Sequence, residues 1–495
     1  QVVGSPFFDK LVEIVGRSNV SREPEVLEEY SKDLSFTDAK KASCVVWPKS
    51  VDEVSKIVRL AAEYSFTLVP VSSGKPRLRG DTTPMADNSV IVDLSKMNRI
   101  IRIDRKNRVV MVEPGVTFSQ LVPEVNKHGL RLLMPLLPKA SKSVLASSLE
   151  REPVTMPKYH WDSSDPLLCT EVVFGTGDVF RTGAAAGPGT LEEQLESGGA
   201  QKSPLGPTQF DPFRILQGAQ GTMGIVTWAT VKCEILPSTR KLFFAASDSL
   251  ETFLDFAYGV LRRRLGDEFF ILNNMGLATA LRKEAKEIQW LRKVLPKWIL
   301  VLCISGHGKL AQEELDYLEG DIKDIARDTG VNLLSEVQGV SGSEVLGLLG
   351  RSCEEPYWKL RFRGGCQEVF FLTTLDKTPE LYETFTRIAS EERYQSEDVG
   401  VYIQPLVQGC NCHCEFDIYY NPQDTMEANR AKYLYLRAGE ALIKKGAFFS
   451  RPYGPLTETV YRNCSPETVV ALKRVKSIFD PKNLLNPGKL CFGGV

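Results

Sequence analysis

The sequence predicts an α+β protein with a first domain of alternating helix and strand and a second α+β domain after it. Three observations predict this. Up to about residue 238, helix-spaced and strand-spaced apolar patterns alternate in short pieces. From 239 to about 445 the helical patterns lengthen and flank apolar strands. The last fifty residues hold one helical pattern and a tail rich in Pro and Gly.

The elements follow in order. "SVDEVSKIVRLAAEY" has apolar residues at 51, 54, 57, 58, 61 and 62, which is helical spacing, with Ser50 placed as N-cap. "FTLVPV", "SVIVDL" and "RVVMVEPGV" read as strands. "TFSQLVPEVNKHGL" is an amphipathic helix that Gly129 ends. "TEVVFGTGDVFRTG" is a hairpin turning at Gly175–Asp178. "EEQLESGGAQKSPLGPTQFDP" predicts a long loop, and "GAQGTMGIVTWATVKCEILP" a glycine-rich turn feeding strand. In the second region "LETFLDFAYGVLRRRL" and "EELDYLEGDIKDIARDTG" are helical. "WILVLCIS", "EVFFLTTL", "VGVYIQPLV" and "HCEFDIYYN" are strands. "PETVVALKRVKSIF" after Ser465 closes the chain as a helix.

Composition narrows the function. Lys plus Arg is 61 against 62 for Asp plus Glu, so global charge gives no basis for nucleic-acid binding. No apolar run spans a bilayer, and "QVVGSPFFDK" lacks the order of a secretory signal, so a cytoplasmic location is expected. Most of the eleven cysteines are scattered singly, as in a reduced protein. "CNCHC" is the exception. On a strand, alternation puts Cys410, Cys412 and Cys414 on one face and Asn411, His413 and Glu415 on the other. Zinc or iron ligation and buried free thiols are the competing readings. The spacing lacks the C-x₂-C pairs of structural zinc sites, so no metal is assigned.

One loop stands out. "PVSSGKPRLRGDTTP" joins small residues (Ser72, Ser73, Gly74, Gly80) to three cations (Lys75, Arg77, Arg79), with Pro76 and Leu78 between them. Small residues let backbone N–H groups close on phosphate oxygens, and arginine forks suit the same ligand. A solvated basic turn is the plainer alternative.

"VEPGV" from Val112, "GAQGTMGIVTWATVK" from Gly218 and "FDPKNLLNPGKL" from Phe479 occur in this order. Together they resemble the FAD-linked oxidases of the vanillyl-alcohol oxidase/p-cresol methylhydroxylase (PCMH) superfamily. The resemblance implies a PCMH-type two-part FAD-binding domain (1–238), a cap domain (239–445) and a C-terminal segment returning to the flavin (446–495). It implies FAD bound without a covalent link, because no residue clearly matches the family's attachment points. The loop from Ser72 to Gly80 would then wrap the pyrophosphate, although Leu78 and Asp81 stand where glycines are usual. Pro114 and Gly115 and the small residues Ser143, Ser147 and Ser148 of "SVLASSLER" would run along the cofactor. Gly221, Gly224, Ile225 and Val226 would hold it by main chain, and Asn486 and Lys489 would reach the flavin ring.

For catalysis the resemblance points to the acid–base patch of the aromatic-alcohol branch. Here Tyr159, His160 and Asp162 stand in that region, with Asp162 first choice as base. In "FFSRPYGPL", Arg451 falls near the arginine that binds phenolate. Tyr453 replaces the histidine of the glycolate and D-lactate dehydrogenases. His413 and Glu415 are the pocket candidates on the strand. The expected activity is hydride transfer from a small aromatic alcohol or alkylphenol to FAD. The alternatives are a 2-hydroxyacid dehydrogenase and a flavoprotein relay subunit. An iron–sulfur, cytochrome or flavoprotein partner would take the electrons.

Overall fold

A computed structural model describes residues 6–160, 165–199, 201–207 and 212–493. The chain builds three main sheets. The first contains β1 (Val20–Ser21), β2 (Cys44–Val46), β3 (Thr67–Val71) and β4 (Ser89–Asp93) in the order β1-β2-β4-β3. β2, β4 and β3 are parallel, so the chain must cross over between them, and helix α1 (Val51–Tyr64) makes one crossing. The Ser50 hydroxyl accepts the Glu53 N–H and starts that helix, as the sequence predicts. Its Val54, Ile57, Val58 and Ala61 are fully buried against the sheet.

The second sheet is antiparallel. It holds β5 (Ile100–Asp104), β6 (Val109–Val112), β7 (Leu130–Leu132), β8 (Leu167–Val173), β9 (Val179–Arg181) and β10 (Ile225–Ile235). β10 is the hub and pairs with β6, β7 and β8. Helices α2 (Phe118–Lys127) and α3 (Val144–Leu149) pack beside it. The region expected to be a long loop contains a short helix, Leu191–Glu196. A reciprocal capping box between Thr190 and Glu193 stabilises it, a local signal that outweighs the surrounding Gly and Pro.

The third sheet runs β11 (Thr239–Ser247), β12 (Phe269–Asn273), β13 (Trp298–Gly306), β16 (Gly365–Thr373), β17 (Gly400–Leu406) and β18 (Asn411–Tyr420). Its order is β11-β13-β12-β17-β18-β16, every pair antiparallel. A small hairpin, β14 (Glu336–Val337) and β15 (Val340–Ser341), precedes β16. Helices Leu254–Arg262, Ala311–Thr329, Thr378–Glu391 and Thr425–Lys444 cover one face. Alternation along β18 sends Cys412, Cys414, Phe416 and Ile418 into that apolar layer. His413, Glu415 and Asp417 therefore point the other way, toward the first two sheets.

The C-terminal chain ties the parts together. Helix Pro466–Phe479 leads to Asp480, whose carboxylate accepts from Leu484 N (2.9 Å), Leu485 N (2.8 Å) and Lys476 Nζ. Leu485 and Asn486 then run parallel to the edge of β3. Gly175 is required here, since a Cβ would stand 2.3 Å from Asp480 Oδ1. Among the described residues no helix is long and apolar enough to cross a membrane.

Candidate functional site

A large cavity lies where the three sheets meet. It is partly open to solvent and encloses about 1590 Å³ of empty space, mouth included. Three segments form one end: Pro70–Thr82 from the end of β3, Pro138–Glu152 around α3, and Gly218–Val226 leading into β10. The third sheet and the segment before β16 form the other, with Tyr357, Trp358, Lys359, Glu368, Tyr402, His413 and Glu415, joined by Arg451 from the C-terminal segment.

The Pro70–Thr82 loop is held from both sides. Gly74 N donates to Ser141 O (2.9 Å), Ser143 N to the Ser73 hydroxyl (3.0 Å) and Gly80 N to Asp33 (2.7 Å). Asn486 Nδ2 donates to the carbonyls of Asp81 (2.8 Å) and Gln220 (2.7 Å), and Lys489 Nζ donates to Gly80 O. Asn486 and Lys489 thus lace the loop to the C-terminal tail and to the Gly218–Val226 turn. Gly80 has φ +77°, and a Cβ there would lie 2.0 Å from Thr37 Oγ1. Leu78 packs against Leu137, Ala280, Cys353, Tyr357 and Trp358, and neither it nor Asp81 has positive φ. These two positions need no glycine in this chain.

The other cofactor candidates fall into two groups. Ser72, Ser73, Arg77, Leu78, Arg79, Pro114, Gly221, Gly224, Ile225 and Val226 line the cavity. Ser143 caps α3, Ser147 binds Glu152 (2.6 Å) and Ser148 binds Val144 O (3.1 Å), so these three serve the segment's own shape. Gly115 packs under the Leu94–Met97 turn, where a Cβ would meet Ser95 O at 2.6 Å. Lys75 turns outward to Glu29 (2.8 Å), and the Pro76 carbonyl accepts from Lys139.

The catalytic candidates also separate. Asp162 lies outside the described residues. His160 is exposed, and Tyr159 packs with Leu133, Val154 and Met156; neither lines the cavity. His413, Glu415 and Arg451 do line it. Tyr453 is buried behind them, its ring 5.4 Å from the Arg79 guanidinium.

The cavity floor is an ion network that sequence reasoning largely missed. Arg79 reaches Glu150 (2.8 Å), Glu152 (3.0 Å) and Glu368 (3.1 Å). Lys142 pairs with Glu150 (2.7 Å). The Lys359 ammonium binds Glu368 and Glu415 and stands 3.6 Å from Asp417. Burial works against ionisation throughout, and the local cations decide the outcome. Lys142 and Arg79 hold the Glu152 carboxyl down to about 2, whereas burial prevails at Glu150 and pushes it up. Lys359 likewise keeps Glu415 and Glu368 below the usual carboxylate range, while burial drives Asp417 well above it. "PYWKLRF" carried one usable signal, a lysine inside an apolar aromatic run. Its three carboxylate partners come from two strands that the sequence could not register against it.

His413 is 1% exposed and its Nε2 lies 3.0 Å from Glu415. Burial lowers its pKa, so the ring is neutral near pH 7. An ionised Glu415 fixes the tautomer with the proton on Nε2 and leaves Nδ1, which has no hydrogen-bond partner among the described residues, as a free lone pair. Arg451 is 5% exposed and donates from Nη1 to Glu150 O (2.9 Å), above the Phe370 ring. It has no carboxylate partner among the described residues.

These residues fit FAD. The cavity runs from the Ser72–Arg77 turn to the third sheet, and two cations beside that turn, Arg77 and Lys139, have no carboxylate partner among the described residues. Comparison with known proteins agrees. Residues 42–183 match the model of the FAD binding domain, and residues 454–490 that of the FAD linked oxidases, C-terminal domain. Glycolate oxidase subunit GlcD of Bacillus subtilis is 23% identical over 97% of this chain and 96% of its own. The 4-cresol dehydrogenase flavoprotein subunit of Pseudomonas putida is 28% identical over 49% of this chain and 47% of its own. Among solved structures, p-cresol methylhydroxylase superposes with a TM-score of 0.82 at 20% identity, over 98% of this chain and 96% of that one. The 4-ethylphenol oxidase of Gulosibacter chungangensis gives 0.81 at 21%, with the same coverage. The fold and both domain matches lead to one conclusion: the chain carries an FAD binding domain and the C-terminal domain of FAD linked oxidases, and is an FAD-dependent oxidoreductase.

Proposed function

We propose that the substrate is a small organic molecule of the aromatic-alcohol or alkylphenol type, carrying an anionic or acidic oxygen and an activated C–H. The observation that carries this is Arg451: a buried guanidinium with no direct carboxylate pair among the described residues, on the cavity wall between the Phe370 ring and the ion network. Burial outweighs Glu152 and Glu150, which favour its charge from a distance, so an anionic ligand oxygen in direct contact would relieve the remaining cost. Tyr357, Trp358 and Tyr402 give the same end of the cavity flat aromatic surface.

FAD, when bound, supplies the hydride acceptor. The chain's own residues orient the substrate and manage its proton. Arg451 holds the oxygen, and the neutral His413 ring takes the proton released from it. Glu415 stabilises the imidazolium that results, as a carboxylate behind a histidine does. Lys359 keeps Glu415 ionised for that role.

A second reading is a 2-hydroxyacid. The end-to-end similarity to glycolate oxidase subunit GlcD favours it, and Arg451 suits a carboxylate as well as a phenolate. Anaerobic mixing of the holoenzyme with 4-alkylphenols, aromatic alcohols and 2-hydroxyacids separates the two. Bleaching of the visible flavin absorbance by the first two groups is expected. Bleaching by hydroxyacids alone transfers the assignment to the second reading, and bleaching by neither class overturns both.

A further inference from the structure

Most cations of the cavity are already paired. Arg79, Lys142 and Lys359 each have two or three carboxylates, and Lys75 faces Glu29 outside. Two cations beside the Ser72–Arg77 turn are different. Lys139 is 9% exposed and lines the cavity. Its ammonium donates to the carbonyls of Gly74 (3.3 Å) and Pro76, and it has no ion pair among the described residues. Arg77 also lines the cavity. It donates from Nε to Ser73 O (3.4 Å), with its guanidinium 4.7 Å from the Tyr30 ring centre, and it too lacks a carboxylate.

We propose that Lys139 and Arg77 are the counter-charges of the FAD pyrophosphate. Two positive charges meet two negative ones at the turn whose backbone wraps the ligand. The assignment rests on the cofactor being FAD. The loop's own Lys75 and Arg79 are committed to carboxylates elsewhere. The attraction comes instead from Arg77 and from Lys139, which lies 63 residues beyond Pro76 and is held against the loop by the Gly74 and Pro76 carbonyls. Two of the three ammonium hydrogens serve those carbonyls, which leaves one for a phosphate oxygen.

The charged groups around Lys139 are Lys142 and Arg77, which disfavour its ammonium, and Glu150 and Glu152, which favour it but are bound to Lys142 and Arg79. Burial outweighs them and brings the Lys139 pKa down to about 8. A pyrophosphate at this position raises it again, so FAD binding takes up a proton above pH 8. FAD affinity should therefore fall as pH rises through that range.

The test titrates the flavin-free full-length chain with FAD and with riboflavin, which shares the ring but has no phosphate. Lys139→Met should weaken FAD at least tenfold, leave riboflavin affinity unchanged and remove the alkaline loss of FAD affinity. Lys139→Arg should restore binding without that pH dependence. Arg77→Met, at a half-buried position, should show the same preference for FAD loss over riboflavin loss. An unchanged FAD dissociation constant in both Met variants overturns the proposal, as does equal weakening of FAD and riboflavin. If the unsubstituted chain binds neither flavin, the cofactor assignment itself fails, and the two failures are distinct.

Discussion

Lys359→Met removes the one ammonium that three buried carboxylates share. The side chain keeps its approximate volume, so the loss is electrostatic. At 2.5 Å, the ionised Glu368 alone attracts the ammonium by about 7 kcal/mol at an effective dielectric of ~20. The ionised Glu415 adds to this, whereas Asp417, which burial holds protonated, does not. Desolvation of the lysine, 4% exposed, offsets much of this. Breaking a buried pair by deleting one partner costs ~3–5 kcal/mol, and we expect that loss at pH 8. The pH dependence gives the sharper test. In the unsubstituted protein, Lys359 depresses Glu368 and Glu415, so their stabilisation is present above the unfolded value of ~4.3 and is lost as pH falls. In the variant, burial raises both carboxyls. Their contribution is then intact at low pH and lost as pH rises through the raised values. The deficit should therefore grow with pH, by up to ~1.4 kcal/mol per unit per carboxylate. Urea unfolding followed by tryptophan fluorescence from pH 5 to 8 measures it. A deficit below ~1 kcal/mol, or one that does not change with pH, refutes the reasoning.

Two further outcomes are expected at the same site. His413→Gln should slow flavin reduction by ~10²–10⁴-fold, the usual contribution of a general base. Because burial lowers the His413 pKa, the acid limb of the unsubstituted rate should lie on the acid side of an ordinary histidine, and the variant should lack this limb. A rapid-mixing pH series checks both statements. Arg451→Met should weaken phenolate-type ligands by the ~1.5–3 kcal/mol of a charge-assisted hydrogen bond, roughly 10- to 150-fold. FAD binding should persist, as equilibrium dialysis against a coloured nitrophenol and the protein's absorbance spectrum together report.

Local signals were legible in the sequence because each needs only a few neighbouring residues. The Ser50 cap, the hairpin at Gly175–Asp178 and the alternation of β18 that divides Cys412 and Cys414 from His413 and Glu415 are of this kind. The helix at Leu191–Glu196 was hidden by Gly and Pro around it, although Thr190 and Glu193 have capping-box spacing. Helix Thr425–Lys444 was passed over within the α+β region; Met426 and Tyr433 are exposed on it. What could not be read was pairing at long range. Arg79 looked like a phosphate ligand because its loop did, yet its partners Glu150, Glu152 and Glu368 lie 71, 73 and 289 residues away. Lys139 drew no attention because nothing in "LLPKASKS" announces that its ammonium folds back onto residues 74 and 76.

The central claim is that Arg451 receives an anionic or acidic oxygen beside the flavin. Titrating oxidised holoenzyme with an unreactive phenol and with its methyl ether tests this most directly. The ligands share an aromatic ring and differ in the oxygen. The account predicts that the phenol perturbs the flavin spectrum and binds at least tenfold more tightly, and that Arg451→Met abolishes the difference. Equal affinity for the two ligands in the unsubstituted protein would contradict it.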